Sequence, residues 1–205
     1  MSVGIIDYGV GNLGSLKRAF EECSVEVGIL KSPTELETAT HLVLPGVGSF
    51  AECMYQLREQ GWVDPLTKDV LGHGIPLLGI CLGMHMLCSR GYEGGKSTEG
   101  LGFIEGEVVR LKELGSHERI PHVGWNEVSI KKSSNLLFEG IPNNTDFYFV
   151  HSYHFSPSDM SSIVATTPYC GEFVSAISHK NIHGVQFHPE KSVPAGLILL
   201  QNFLN

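Results

Sequence analysis

Residues 77–84 read Leu77-Leu78-Gly79-Ile80-Cys81-Leu82-Gly83-Met84, an apolar strand pattern that runs directly into a helical pattern. The spacing G-x-C-x-G parallels the G-x-S-x-G elbow, in which a strained strand-to-helix turn lifts a nucleophile clear of a sheet. The positive end of the following helix favours a thiolate. The stretch therefore predicts an α/β fold that presents Cys81 as a nucleophile. The alternative is a buried cysteine in an ordinary strand-to-helix turn.

The first half of the chain alternates strand and helix patterns. Apolar runs typical of strands occupy residues 3–6, 25–30, 41–44 and 77–80. The segments between them carry apolar residues on one helical face, which would cover a sheet. We therefore expect a three-layer α/β fold with a mostly parallel central sheet and helices on both faces.

The second half has a different pattern. After a glycine-rich stretch, strand-like runs occupy residues 106–111, 126–130, 147–151, 163–167, 174–178 and 182–187. They predict an added antiparallel portion, and residues 194–204 predict a final helix. We find no repeat or linker, so we expect one domain over residues 1–205.

Composition excludes several function classes. The formal net charge of −8 is spread along the chain, and 14 basic residues against 22 acidic ones leave no cationic stripe for nucleic acid. No apolar window approaches the roughly 20 residues of a membrane span. The five cysteines are odd in number and lack Cys-x-x-Cys pairs, which indicates reduced thiols. We expect a soluble cytoplasmic protein.

A second chemical motif lies near the end of the chain, in Gly184-Val185-Gln186-Phe187-His188-Pro189-Glu190-Lys191. A late strand ends in a histidine, and a carboxylate follows two positions later. An imidazole that exchanges a proton with the thiol, held by an acid at its far nitrogen, is the arrangement of covalent acyl transfer. Alone, His-Pro-Glu fits a surface turn. Together with the cysteine motif, it predicts a triad of Cys81, His188 and Glu190.

The early G-x-C-x-G and late His-Pro-Glu are similar to those of the class I (triad) glutamine amidotransferases. Residues 44–48 (LPGVG), 121–127 (PHVGWNE) and 148–153 (YFVHSY) resemble segments of one branch, the glutaminase subunits of imidazole glycerol phosphate synthase. The resemblance spans nearly the whole chain. It implies hydrolysis of glutamine through a thioester on Cys81, with His188 as acid and base and Glu190 holding His188.

Attack on a glutamine amide creates an oxyanion, which needs preorganised hydrogen-bond donors. The Pro-Gly-Val-Gly segment after the third strand would reach the carboxyl edge of the sheet, where open α/β sheets hold ligands. Our candidate oxyanion and substrate residues are Gly46, Val47, Gly48 and Leu82, whose N–H follows the nucleophile. The glycine pair also fits an ordinary tight turn.

Two further residues are candidate substrate contacts. In the resembling family the residue four positions after the cysteine is commonly a glutamine that contacts the substrate, whereas this chain has His85. An imidazole can still hydrogen-bond the amino-acid end of glutamine. Glu93 could pair with the substrate ammonium group, or it could be a solvated loop acid.

The resemblance implies a separate (β/α)8-barrel cyclase/synthase subunit that receives the ammonia and makes imidazole glycerol phosphate in histidine biosynthesis. It suggests Asn12, Trp125, Tyr148 and Lys191 as contacts. One alternative is a paralogous glutaminase that supplies ammonia to a surface sugar, which His85 would favour. Another is a binding module that has lost catalysis.

Two other patterns carry less weight. Residues 9–14 match the dinucleotide motif G-x-G-x-x-G, but the second strand ends without the acid expected on the ribose. Close packing of the first turn explains these glycines more simply. Ten histidines suggest a metal site, yet no clustered set completes four ligands. We expect no metal and no cofactor.

Overall fold

The computed structural model describes residues 1–115 and 118–205. Its strands are β1 (Ser2–Ile6), β2 (Glu26–Leu30), β3 (His41–Gly46), β4 (Leu77–Cys81), β5 (Arg90–Gly91), β6 (Thr98–Glu99), β7 (Gly106–Arg110), β8 (His122–Ile130), β9 (Thr145–His151), β10 (Tyr153–Pro157), β11 (Ile163–Thr167), β12 (Phe173–His179) and β13 (Ile182–Val185). Its α-helices are α1 (Leu13–Glu22), α2 (Phe50–Glu59), α3 (Val63–Thr67), α4 (Leu82–Met86) and α5 (Ala195–Phe203). The strand and helix patterns of the first half are therefore confirmed.

The main sheet has nine strands in the order β2-β1-β3-β4-β13-β12-β11-β8-β9. It is parallel from β2 to β13 and antiparallel from β13 to β9. This confirms a parallel sheet with an antiparallel addition from the second half. A second sheet, β10-β7-β5-β6, was not predicted. Two of its strands are only two residues long, which is too short to leave an alternating pattern.

Helices cover both faces of the main sheet. Side chains along each strand alternate between two hydrophobic cores, because successive residues of a strand point to opposite faces. Ile5 and Val43 pack with α1 and α5 in one core, while Ile6 and Leu42 pack with α2, α3 and α4 in the other. A fully buried ring such as Phe20 of α1 contributes about 1.5–3 kcal/mol. The predicted three layers are confirmed.

The junction of β4 and α4 is strained and tightly packed. Cys81 has φ 56° and ψ −112°, and a non-glycine residue with such a backbone costs about 1–3 kcal/mol. A Cβ on Gly83 would lie 1.8 Å from the carbonyl oxygen of Leu44, and one on Gly79 would lie 2.7 Å from the carbonyl oxygen of Gly83. The flanking glycines therefore allow the backbone of α4 to contact β3 and β4.

Strand register brings distant segments to one edge. Gly46 at the end of β3 is the partner of Cys81 at the end of β4, and Ile80 is the partner of Val185 at the end of β13. The residues after β3, β4 and β13 thus emerge side by side at the carboxyl edge. Among the described residues, no helix is long and apolar enough to cross a membrane.

We predict that Gly83→Ala lowers the free energy of unfolding by several kcal/mol, because the added methyl group overlaps the Leu44 carbonyl oxygen. Thermal or denaturant unfolding measures the change. Gly14→Ala in α1 is the matched control: a Cβ there meets nothing within 4 Å, and alanine favours a helix by about 1 kcal/mol. Equal stability of Gly83→Ala and the wild type would contradict the contact.

Candidate active site

A cavity of about 420 Å³ opens at the carboxyl edge of the sheet. The sequence-predicted residues that line it are Val47, Gly48, Cys81, Leu82, His85, Glu93 and His188. The opposite wall is formed by residues 150–153 at the end of β9 and the start of β10. Gly46 is not among these lining residues. It packs against α4, where an added Cβ would lie 2.7 Å from the Gly83 nitrogen.

His188 and Glu190 form a buried pair behind Cys81. His188 Nδ1 lies 2.9 Å from Glu190 Oε1, and their side chains are 6% and 1% exposed. Because an ionised carboxylate can only accept, Nδ1 donates to it. His188 Nε2 is also buried and has no hydrogen-bond partner among the described residues. Nε2 is therefore free to exchange a proton in the cavity that Cys81 shares.

The electrostatics favour an imidazolium at His188. Burial lowers the pKa of His188, but the interaction with the nearby Cys81 sulfur and the hydrogen bond and charge of Glu190 outweigh it and raise the pKa to about 10. The ring is therefore protonated at neutral pH beside the sulfur. A positively charged imidazolium beside a cysteine sulfur is the arrangement that activates nucleophilic cysteines in enzymes.

The turn that carries His188 is fastened to β9. The His188 backbone N–H donates to the Tyr148 carbonyl at 2.9 Å. Ser192 Oγ donates to the His188 carbonyl at 2.7 Å and accepts from the Tyr148 N–H at 3.0 Å. Sequence reasoning missed Ser192, which is 1% exposed. These three bonds fix the position of the imidazole relative to the sheet.

Two buried donors hold the end of β3 and the segment that follows it. Tyr8 Oη donates to the Pro45 carbonyl at 2.7 Å, and Cys53 Sγ donates to the Val47 carbonyl at 3.4 Å. Burial raises the pKa of both Tyr8 and Cys53, so both keep their protons. Neither residue was predicted to support the site, because each is remote from this segment in sequence or lies on a helix that reads as core.

His85 lines the cavity, but its Nε2 is occupied. It lies 2.6 Å from Oε1 of Gln186, whose Nε2 lies 3.9 Å from Cys81 Sγ. Burial lowers the pKa of His85 to about 4, so the ring is neutral. Sequence reasoning missed Gln186. Its position two residues before His188, on the same face of an extended chain, was the available signal.

Glu93 also reaches the cavity. Its Oε2 accepts from the Phe50 N–H at 2.6 Å, at the first turn of α2, where a negative charge is favourable. This bond fixes the carboxylate at the cavity wall.

Two further histidines form a hydrogen-bonded pair at the wall formed by residues 150–153: His151 lines the cavity, and His122 contacts His151. His151 Nδ1 donates to the Tyr153 carbonyl at 2.8 Å, and His122 Nδ1 donates to His151 Nε2 at 2.9 Å. Burial lowers the pKa of His122 to about 4 and that of His151 well below its usual value, so both rings are neutral. In residues 1–115 and 118–205, no three His, Cys, Asp or Glu side chains are grouped as a metal site.

Three residues predicted to contact a partner lie together. Trp125 is 56% exposed and packs edge-on against Tyr148 at 6.1 Å between ring centroids. The Lys191 ammonium lies 5.3 Å from the centroid of the Tyr148 ring. Asn12 lines a narrow crevice that also reaches His188 and Glu190. All four residues are thus at the edge of the sheet that holds Cys81.

The glycines of residues 9–14 have a packing explanation. Gly9 and Gly11 have φ of 96° and 119°, which favour glycine, and a Cβ on Gly11 would lie 3.3 Å from Pro45. The first turn therefore packs closely against the segment after β3.

The chain is similar in sequence to known proteins. A family model described as glutamine amidotransferase class-I matches residues 4–205. The chain is 48% identical over 202 residues to "Imidazole glycerol phosphate synthase subunit HisH 1" of Campylobacter jejuni (strain RM1221), covering 98% of each chain. It is 47% identical over 204 residues to "Imidazole glycerol phosphate synthase subunit HisH 2" of Methanococcus maripaludis, again covering 98% of each.

The fold is shared more widely. A solved structure described as "Crystal structure of glutamine amidotransferase" superposes with a TM-score of 0.76 at 19% identity, covering 98% of this chain and 96% of that one. A cysteine at a strained turn of an α/β sheet shares its cavity with the histidine of a buried His–Glu pair, and this arrangement is suited to cysteine-dependent acyl transfer. The chain belongs to the class-I glutamine amidotransferases.

We predict that Glu190→Gln weakens the pH dependence of stability. The raised pKa of His188 stabilises the fold fully below about pH 6.5, the value for an unfolded histidine, and this contribution is lost as the pH rises towards about 10. Denaturant unfolding between pH 6 and 9.5 should give the wild type a larger free energy of unfolding than Glu190→Gln at low pH. The difference between the two should decrease as the pH rises. A difference in the free energy of unfolding that does not change with pH would contradict the charged interaction of His188 with Glu190.

Proposed function

We propose that this chain hydrolyses L-glutamine to L-glutamate and ammonia, and delivers the ammonia to a separate synthase subunit that makes imidazole glycerol phosphate in histidine biosynthesis. The observation that carries the proposal is identity of nearly one half, over nearly the full length, to relatives bearing that name. The shared cavity of Cys81 and His188 supports the chemistry. We assign the activity to one domain over residues 1–205, in the cytoplasm.

The proposed reaction has two halves. The Cys81 thiolate attacks the side-chain carbonyl carbon of glutamine, and the C–N bond breaks as His188 protonates the departing nitrogen. This step releases ammonia and leaves a glutamyl thioester. His188, now neutral, takes a proton from water, whose oxygen attacks the thioester and releases glutamate and the thiolate. Glu190 holds the ring through Nδ1 in both halves.

Backbone N–H groups are the proposed oxyanion donors. Leu82 follows the nucleophile, and Val47 and Gly48 line the same cavity. Each such donor lowers the activation barrier by roughly 2.7–4 kcal/mol. We propose that Gly46 allows the segment with Val47 and Gly48 to lie against α4. We propose that Glu93 pairs with the substrate ammonium group.

A partner surface adjoins the cavity. Val123 pairs with Val150 and Trp125 pairs with Tyr148 across β8 and β9, and directly opposite residues of an antiparallel pair share one face. Val123 and Val150 are 56% and 39% exposed. Exposed apolar residues around an aromatic anchor are typical of a protein interface. We propose that the partner is a (β/α)8-barrel cyclase that contacts this ladder, Lys191 and Asn12.

A glutaminase that supplies ammonia to a surface sugar is the second candidate, and His85 is the residue that favours it. Restoring growth without histidine to a strain lacking its own glutaminase subunit separates the two, provided that the chain and its own cyclase are expressed together. Restored growth supports histidine biosynthesis, and failure by an active pair favours the sugar pathway.

We predict that the purified chain hydrolyses glutamine at least about tenfold more slowly alone than with its cyclase bound, because the cavity is completed at the partner surface. Glutamate release measures both rates. A chloroketone analogue of glutamine should label Cys81, as shown by peptide mapping, and should leave Cys81→Ala unlabelled. Equal rates with and without the cyclase would contradict the coupling of hydrolysis to the partner. A wild-type chain that is not labelled at Cys81 would contradict the proposed chemistry.

We predict that Trp125→Glu weakens cyclase binding by at least about tenfold, because a charge replaces the central aromatic anchor. Titration calorimetry measures the affinity. Met160→Glu is the control, since Met160 is 71% exposed but precedes β11 at the opposite edge of the sheet. An unchanged affinity for Trp125→Glu places the interface elsewhere.

A further inference from the structure

Three buried side chains form a line that ends at the nucleophile. Cys81, Gln186 and His85 are 7%, 0% and 4% exposed. Gln186 Nε2 lies 3.9 Å from Cys81 Sγ, and Gln186 Oε1 lies 2.6 Å from His85 Nε2. The amide thus connects the reacting sulfur to a ring four positions further along the chain. The proton-exchange chemistry assigned to Cys81, His188 and Glu190 does not use this connection.

The direction of these hydrogen bonds follows from the surroundings of the sulfur. The Cys81 thiol donates to the Val150 carbonyl oxygen at 4.0 Å, and the same oxygen would repel a thiolate. An amide turned the other way would bring a second carbonyl oxygen to the sulfur. With its N–H towards Sγ, the Gln186 oxygen must accept from His85, whose ring then carries its proton on Nε2. The neutral imidazole of His85 carries a single N–H, and that N–H donates to Gln186 Oε1.

We propose that the Gln186 amide N–H stabilises the thiolate of Cys81, and that His85 is a positioning residue that holds this amide in the required orientation. The proposal rests on Cys81 being the nucleophile of the proposed function. It gives His85, which also lines the cavity, a role at the sulfur. A histidine can occupy the position because the requirement is an N–H that reaches Gln186 Oε1.

Two buried histidines, His151 and His154, interact with His85, and burial lowers the pKa of both. Three other titratable groups approach the sulfur from elsewhere. His188 and Glu190 approach from the segment after β13, and Tyr8 approaches from the turn after β1. Substitutions at Gln186 and His85 leave all three in place. A change in the reactivity of Cys81 in such variants therefore reports on the amide.

The test is alkylation of Cys81 by iodoacetamide in the full chain, followed by peptide mass spectrometry from pH 5 to 10. Gln186→Met keeps the length of the side chain and removes the N–H. We expect the midpoint of its rate profile to rise by about one pH unit, which slows alkylation about tenfold below the midpoint. Because alkylation needs no glutamine, its pH profile tests the role of Gln186 whether or not the chain hydrolyses glutamine.

His85 is tested by a matched pair of variants. His85→Leu removes the donor to Gln186 and should raise the midpoint in the same direction, while His85→Gln supplies an amide N–H and should restore it. Ser175→Ala is the control for a buried polar change, since Ser175 Oγ has no hydrogen-bond partner among the described residues. Its profile should match that of the wild type.

The outcomes separate clearly. A folded Gln186→Met with the wild-type profile overturns the role of Gln186. A shifted Gln186→Met with an unchanged His85→Leu overturns the role of His85. The wild-type chain gives a second measurement that needs no folded variant: the side-chain amide resonance of Gln186 should move with the same midpoint as alkylation. If the Gln186 amide resonance does not change with pH around the midpoint of alkylation, the proposal is also overturned.

Discussion

The turn at Cys81 places a left-handed backbone, with φ 56°, between a fully buried strand and a short helix. It closes because Gly83 brings the helix backbone against the Leu44 carbonyl, where no side chain fits. This contact holds the sulfur above the sheet and sets the first helical N–H beside it. It also orders the neighbouring strand, because the end of β3 is fixed in register with Cys81. The cavity, the proposed oxyanion donors and the approach of His188 all depend on this turn.

Each segment that emerges at this edge is held by buried donors of its own. Ser192 fastens the His188 turn to β9, while Tyr8 and Cys53 fasten the segment after β3. Rigid support of this kind matters because hydrogen-bond donors stabilise a transition state only when they are already oriented. The charged pair of His188 and Glu190 is tolerated in the interior because its geometry is fixed in the same way.

The edge combines a cavity that Cys81 and His188 line with an exposed apolar surface. The cavity suits a small amide substrate, and the adjoining ladder of β8 and β9 suits a protein surface. Residues 150–153 belong to both, since Val150 is exposed on the ladder and also lines the cavity. A protein docked on the ladder would therefore contact the wall of the substrate site directly. This continuity gives a physical route by which a synthase could influence hydrolysis of glutamine.

Much of this molecule could be predicted from local sequence. The parallel strands, helices α1 and α2 and the strained turn follow from apolar periodicity and from glycine spacing within a few residues. The proposed triad was inferred from two short motifs, one around Cys81 and one at His188 and Glu190. Tertiary structure decided the second sheet, the donors Tyr8, Cys53 and Ser192, and the contact of His85 with Gln186. His85 and Gln186 are 101 positions apart, and they meet only because β13 pairs with β4 in one register. Short-range pattern determined which residues are the candidates for the chemistry, whereas strand register and side-chain rotamers, which no local pattern specifies, determined what supports them.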